Sequence, residues 1–220
     1  MLLAIDSSSL TAAAALVRDG ALVAEGFLNN GLTHSQTLAP LIDSTMKAAG
    51  AAPGDITSVV VTNGPGSFTG LRIGVATAMG IASALGIPCH GVSSLMAAAF
   101  SALDCEGAVR AVMDARRNQF YTALFTVKNG VLTRVTKDGA LEFDALLETT
   151  PQPCIWAGDA ASRCAVREGD RTLTRPYVTG FGAALCYQNG EVYAADQVRY
   201  LRRPQAERER EERERAVEGV

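Results

Sequence analysis

The residues best placed to do chemistry fall in a few short clusters. The densest is Gly64-Pro65-Gly66-Ser67-Phe68-Thr69-Gly70-Leu71-Arg72-Ile73-Gly74. It follows the β-branched run Val59-Val60-Val61-Thr62 and opens an alanine-rich helical pattern. A strand, a glycine loop and a helix N-terminus in that order can turn backbone N–H groups toward an anion or another chain. No generic motif fits. A phosphate-cradling Walker loop needs Gly-Lys-[Ser/Thr], and here Gly70 is followed by Leu71. Gly64, Gly66 and Gly70 carry one residue too many for a dinucleotide fingerprint. Ser67 has Pro65 and Thr69 two residues away, not the glycines of a hydrolase elbow. Two readings therefore stand, anion binding and a tight packing turn. Ser67 and Thr69 suit helix capping better than nucleophilic attack, since neither has a base assigned to it.

Asp6 ends the first apolar run beside Ser7-Ser8-Ser9. It could orient a metal-bound water near a phosphate, or cap its own turn. Asp114 is its counterpart in the second half and carries the same two readings. Arg116 and Arg117 could grip phosphate bidentately or pair with surface carboxylates. Asp6, Ser7, Gly64, Gly66, Ser67, Asp114 and Arg116 form the phosphate-proximal candidate set. His34 is the one histidine suited to acid or base work. Leu38 occupies its i+4 position, so no helix-borne metal pair is available. His90 lies in an apolar run and reads as a hydrogen-bonded core residue. The five cysteines form no C-x-x-C pair and read as reduced thiols of a cytoplasmic protein.

Positioning these groups requires an ordered series of elements. Leu2–Ile5 reads as a strand, Thr11–Val17 as a second and Ala21–Leu28 as a third, with Arg18-Asp19-Gly20 as the hairpin turn. The alanines at 12–15 favour helix locally, so the second strand rests on the hairpin signal. A helix is expected over Ser35–Ala49, with Leu38, Leu41 and Met46 on one face and Pro40 near its start. Ile56–Thr62 reads as a buried strand, Thr69–Leu85 as a helix, Ile87–Val92 as a strand and Ser94–Leu103 as a helix. The plan then repeats. Ala108–Met113 ends at Asp114, a polar turn follows, and Phe120–Val127, Lys128-Asn129-Gly130 and Val131–Thr136 make a second hairpin. Later helical stretches at Glu142–Glu148, Ala160–Arg167 and Gly182–Gln188 are shorter, and Ile155-Trp156-Ala157-Gly158-Asp159 is another strand-to-loop step. A repeat of about a hundred residues suits a duplicated lobe rather than a solenoid. The expected organisation is a lobe over 1–104, a second over 105–203, and a tail over 204–220 whose Glu/Arg run suits a solvated helix.

Composition narrows the partners. The 220 residues are 48% hydrophobic and 20% charged, enough to bury a sizeable core. A formal net charge of -3 argues against a chain that holds nucleic acid alone by neutralising phosphates. The N-terminus meets an aspartate at once and does not look like a signal peptide. The apolar stretch Ile73–Cys89 is interrupted by glycines and a proline, so no membrane span is expected.

Taken together, Ile5-Asp6-Ser7-Ser8, His34-Ser35-Gln36, Gly64–Gly74, Gly91-Val92-Ser93-Ser94-Leu95, Asp114-Ala115-Arg116-Arg117 and Tyr200-Leu201-Arg202 resemble the TsaB (YeaZ) family, which serves threonylcarbamoyladenosine modification of tRNA. The resemblance runs from Met1 to about Arg203. It implies an α/β fold of the duplicated actin, sugar-kinase and heat-shock-chaperone (ASKHA) type, with two lobes, each a mixed sheet with helices. The catalytic relative, TsaD, carries metal-binding histidines in a V-N-H-L-E-G-H segment, and the matching positions here are Ser94 and Ala98. The resemblance thus implies a non-catalytic subunit with no metal or cofactor of its own. Its partners would be a TsaD-like transferase and a TsaE-like ATPase, with tRNA met only through the complex. ATP or ADP at the complex interface, and self-association of the free chain, stay open. The expected partner surface is Leu38, Leu41, Met46, Gly74, Ala78, Gly80 and Ala82. Two rows at i,i+4 spacing, Gly74/Ala78/Ala82 and Ala76/Gly80/Ala84, could each admit a partner helix. On that expectation Gly74→Arg or Ala78→Arg abolishes the heterodimer and leaves the monomer folded. A small-molecule kinase or ATPase using Asp6 and Asp114 is the alternative, and a peptidase ranks last.

Overall fold

The structure, a computed structural model, describes residues 1–173 and 175–201. The chain opens with strands β1 (Leu2–Asp6), β2 (Ala12–Arg18) and β3 (Ala21–Leu28) and helix α1 (His34–Ala48). Next come β4 (Ser58–Gly64), α2 (Phe68–Leu85), β5 (Cys89–Ser93) and α3 (Ser94–Ala99). The second half begins with β6 (Gly107–Asp114), β7 (Gln119–Lys128), β8 (Val131–Arg134), β9 (Gly139–Glu142) and α4 (Phe143–Glu148). It ends with β10 (Ile155–Ala157), α5 (Ala161–Cys164), β11 (Arg171–Thr172), α6 (Gly180–Gln188) and β12 (Tyr193–Ala194).

The duplication is visible in the pairing. β1 runs antiparallel to β2 and parallel to β4, and β6 runs antiparallel to β7 and parallel to β10. Both hairpins turn on an X-Gly pair in the left-handed region, Asp19-Gly20 and Asn129-Gly130, whose twist matches the flanking strands. Hairpin pairing overrides the helical preference of Ala12–Ala15, and all four alanines are buried in β2. The sheets are ordered β12-β5-β4-β1-β2-β3 and β11-β10-β6-β7-β8, with β9 also on β7.

Alternation along each strand divides the core. Ala4 and Val60 point inward with Val109, Ala111, Ala123 and Phe125 of the second sheet, and α3 and α6 fill the layer between. Alanines at 97–99, 183 and 184 keep that layer thin. Leu3, Ile5, Val59 and Val61 point outward, under α1 and α2. Trp156, Phe120 and Leu146 make a smaller core on the outer face of the second sheet.

Several elements depart from expectation. α3 changes to a 3₁₀ turn at Phe100–Ala102, α5 is four residues long, and Pro40 sits inside α1. β9, β11 and β12 had no counterpart in the sequence pattern. A cut at 104/105 separates the two sheets, but α6 and β12 then return to the first: α6 packs on β1 and β2, and β12 pairs with β5. The tail expected over 204–220 lies outside the described residues.

Candidate functional site

The glycine loop is a packing joint. Its neighbours are carbonyl oxygens. A Cβ on Gly66 would collide with the Ser8 oxygen, one on Gly70 with the Ser7 oxygen, and one on Gly64 with the Arg199 oxygen. Gly74 leaves room for the Ser7 hydroxyl. Several of the loop's donors are already engaged. Ser67 N–H donates to Ser8 O (2.7 Å), Gly70 N–H to Ser67 Oγ (3.3 Å) and Leu71 N–H to Ser67 O (2.9 Å). Ser67 is thus the N-cap of α2, and Ser7 donates its hydroxyl to Gly70 O at 2.9 Å. Ser7, Gly66 and Ser67, expected near phosphate, are here contacts that seat α2 on the first turn, and Gly64, expected with them, lies against the Arg199 carbonyl. Thr69 is exposed in the first turn of α2.

Asp6 is fully buried. Its Oδ1 accepts from Ser8 N–H (3.1 Å), the Ser8 hydroxyl (2.6 Å) and the Thr62 hydroxyl (2.5 Å), while Oδ2 is buried with no hydrogen-bond partner. Burial pushes its carboxyl above the ordinary range, against those three hydrogen bonds. His34 places Nε2 2.7 Å from Ser9 O, so that nitrogen donates, and its Nδ1 is buried without a partner. Across from Asp6 lies Asp159, a residue the sequence pattern did not single out. Its Oδ1 accepts Asp114 N–H at 3.1 Å. Burial, then the charges of Asp114 and Asp6, push its carboxyl up to about 6. Asp114 is exposed, pairs with Arg163 at 3.2 Å and accepts Arg116 N–H at 2.7 Å. Arg116, Arg117 and Asn118 are consecutive left-handed residues, and all three are exposed. So Asp6, Asp114 and Asp159 come together, whereas Gly66 and Ser67 serve the α2 joint and Gly64 the approach of Arg199. Among the described residues no three His, Cys, Asp or Glu side chains are close enough to share a metal ion. His90 stacks on Tyr187 with ring centroids 5.0 Å apart.

The expected partner surface divides. Leu38 and Leu41 are buried in this chain's own core, and Met46 is half-buried against it. α1 packs on β2 and β3, where the small side chains of β2 leave room for leucines. Gly74, Ala78 and Ala82 are likewise buried on the sheet side of α2. The second row is the open one: Ala76, Gly80 and Ala84 are exposed, Met79 is 40% exposed, and nothing lies within 4 Å of a Cβ built on Gly80. α2 is 18 residues long with a mean hydropathy of 1.4, yet only 33% of it is buried. By length and composition such a helix could cross a membrane, but its cap, its buried row and its seat on β4 place it in this fold.

A duplicated pair of mixed sheets with helices between and outside them defines a two-lobed α/β protein of the actin, sugar-kinase and chaperone type. YeaZ from Pseudomonas aeruginosa shares this fold, with a TM-score of 0.73, 23% identity, and coverage of 92% of this chain and 99% of that one. The family model for TsaD, tRNA N6-adenosine threonylcarbamoyltransferase, matches residues 31–206. The tRNA threonylcarbamoyladenosine biosynthesis protein TsaB of Bacillus subtilis is 36% identical over 164 residues, 73% of this chain and 72% of the relative. TsaB of Escherichia coli is 37% identical over 124 residues, 56% of this chain and 53% of the relative. The chain belongs to the TsaB (YeaZ) family, within the wider group that the threonylcarbamoyltransferase model describes.

Proposed function

We propose that this chain is a non-catalytic subunit of the assembly that makes threonylcarbamoyladenosine on tRNA, and that it docks a TsaD-like transferase through the outer face of α2. The observation that carries this reading is the open row Ala76, Gly80 and Ala84 beside Met79 on an apolar helix that is only one-third buried. An apolar helix of this length normally buries its apolar face, and small residues let a second helix approach closely. The exposed side of α1, with Ala39 and Pro40, extends that surface. On the family resemblance, the positions of the transferase's metal-binding histidines hold Ser94 and Ala98, and both are fully buried between the sheets.

ATP or ADP in the assembly then lies outside this chain's glycine loop, where Ser67 and Gly70 N–H are already engaged internally. A TsaE-like ATPase joins the complex, and tRNA is met only through it. One observation favours the alternative of a kinase or ATPase, namely the unpartnered Oδ2 of buried Asp6, whose charge is felt by Asp159. Two measurements separate the readings. Gly80→Arg is expected to weaken capture of a TsaD-like transferase at least tenfold without lowering the unfolding midpoint. The isolated chain is expected to leave ATP unhydrolysed. Unchanged capture by Gly80→Arg overturns the docking face. ATP turnover that disappears in Asp6→Asn supports the enzyme reading instead.

A further inference from the structure

The segment Glu191–Tyr200 crosses the molecule from the second sheet to the first turn of α2. It is held at every step. β12 pairs Tyr193 with Gly91 and Ala194 with His90. Asn63 Nδ2 donates to Ala194 O (3.0 Å) and Gln197 O (3.1 Å), and Arg199 N–H donates to Asn63 O (2.7 Å). The Asn63 amide fills the space that any side chain at Gly91 would take. Further along, the Arg199 guanidinium lies 4.0 Å over the Tyr193 ring and 3.2 Å from Asp138 Oδ2. The Asp138 side chain is 1% exposed, and it also accepts from Ser93 Oγ (2.9 Å) and Arg134 Nη1 (2.6 Å). Arg134 in turn forks onto Glu191 through Nε (2.7 Å) and Nη2 (2.5 Å). At the far end the Tyr200 ring sits 5.0 Å from Phe68, the first residue of α2, and Arg72 lies 4.8 Å over the other partner of that stack, Phe68.

We infer that Arg199 and Tyr200 are positioning residues for the α2 docking surface. Arg199 ties the strap to the second sheet through buried Asp138, and Tyr200 holds Phe68 and with it the first turn of the helix. Helix ends fray unless side chains hold them. Here the Ser67 cap and the Phe68–Tyr200 stack do so together. Phe68 and Tyr200 are 37% and 38% exposed, so the stack lies at the rim of the open face rather than in the core. Asp138 keeps Arg134 when Arg199 is lost, so the ion cluster survives a change at Arg199. This inference rests on the docking reading given above.

The test uses the full chain and a TsaD-like transferase. Affinity is measured by calorimetry, and amide exchange is followed across residues 64–72 and 193–201. Tyr200→Ala is expected to weaken docking about three- to tenfold, the worth of one aromatic pair, and to speed exchange at Phe68–Arg72. Tyr200→Phe keeps the ring and is expected to restore both. Arg199→Ala is expected to act in the same direction as Tyr200→Ala. Faster exchange confined to residues 193–201, or unchanged affinity in Tyr200→Ala while Gly80→Arg still abolishes docking, overturns the inference. If Gly80→Arg leaves docking intact, the docking face itself is wrong, and exchange alone judges the strap: deprotection of 68–72 in Tyr200→Ala upholds its hold on the helix, and its absence overturns it.

Discussion

At the Asp6 corner the turn Ser7-Ser8-Ser9 is roofed by α2, and the aspartate is sealed beneath Ser8 and Thr62. At the Asp114 corner the matching turn, Ala115 to Asn118, reaches solvent, and the aspartate pairs with Arg163 at the surface. The strand plan is the same in both. What differs is the helix that follows the parallel neighbour strand: β4 leads into the 18 residues of α2, whereas β10 leads into the four of α5. Gly66, Gly70 and Gly74 let α2 touch the first turn, and at the second corner Gly158 makes a comparable approach, onto Val112 O. Coverage by a helix thus turns one aspartate into an interior scaffold and leaves its twin as a clamp on an exposed turn.

The largest effect should separate the two sides of the covering helix. Ala78 is wholly buried on β4, so Ala78→Arg forces a guanidinium and its stem into a filled core at a cost above about 4 kcal/mol. Loss of the folded protein is expected in circular dichroism melts. This corrects the expectation that arginine at Gly74 or Ala78 spares the monomer. Gly80→Arg meets nothing within 4 Å and replaces a mid-helix glycine, so it should stabilise by up to about 1 kcal/mol. Equal melting of the two variants would show that both sides of α2 are open.

A smaller effect should distinguish the aspartates themselves. Asp6→Ala leaves the Ser8 and Thr62 hydroxyls and the Ser8 N–H without an acceptor in the interior. About 1–3 kcal/mol for each unsatisfied group, less the relief of removing a buried carboxyl, gives a net loss of about 2–4 kcal/mol. Asp114→Ala breaks a half-exposed ion pair and one turn hydrogen bond and should cost less than about 1 kcal/mol. Urea unfolding of both variants at neutral pH measures the gap, and equal losses would remove the contrast between the corners.

Much of this contrast is written in the sequence, but not its direction. The hairpins were legible because Asp19-Gly20 and Asn129-Gly130 sit between runs of strand formers. α2 was legible as a helix, while its buried side was not. Small residues occupy both of its rows, so apolar periodicity carries no information about which row meets the sheet. Leu38 and Leu41 looked like interface residues because nothing local says that β2 is alanine-rich where they land. β12 pairs with a strand a hundred residues earlier in the chain, and α6 packs on the opening hairpin, contacts set by the whole fold rather than by neighbours. In the sequence Asp159 marks only a strand-to-loop step after Ala157. Its role depends on Asp6 and Asp114 meeting it in space.

Asp159 offers a readout between the corners, since both aspartates raise it. With its carboxyl pushed up to about 6 from an ordinary value near 4, the folded chain still holds a proton over pH 4–6 that the unfolded chain has released. Stability should therefore fall as pH rises through that window and stay lower above it. Asp159→Asn retains an acceptor for Asp114 N–H and removes the charge. It should gain on the order of 2 kcal/mol at pH 7.5 and nothing near pH 4, as followed by thermal melts across pH. A gain that does not change with pH would mean that ionisation of the Asp159 carboxyl is not what burdens this site.

The smallest effect tests the exposed turn. Arg117 holds φ at 54°, a region that costs a side chain with a Cβ roughly 1–2 kcal/mol. Glycine adopts it freely but gives up roughly 0.5–1 kcal/mol of chain entropy on folding. The difference favours Arg117→Gly by about 0.5 kcal/mol. Arg117→Ala keeps the Cβ and should gain nothing. Asn118 holds a similar φ of 56°, but asparagine tolerates that region, so Asn118→Gly should gain less than Arg117→Gly. At the covered corner the sign should reverse: Ser8→Gly removes the hydroxyl that Asp6 accepts at 2.6 Å and must destabilise. Chemical unfolding with several replicates resolves differences of this size. Destabilisation by Arg117→Gly would mean that the arginine side chain, rather than its backbone, is what holds the second turn.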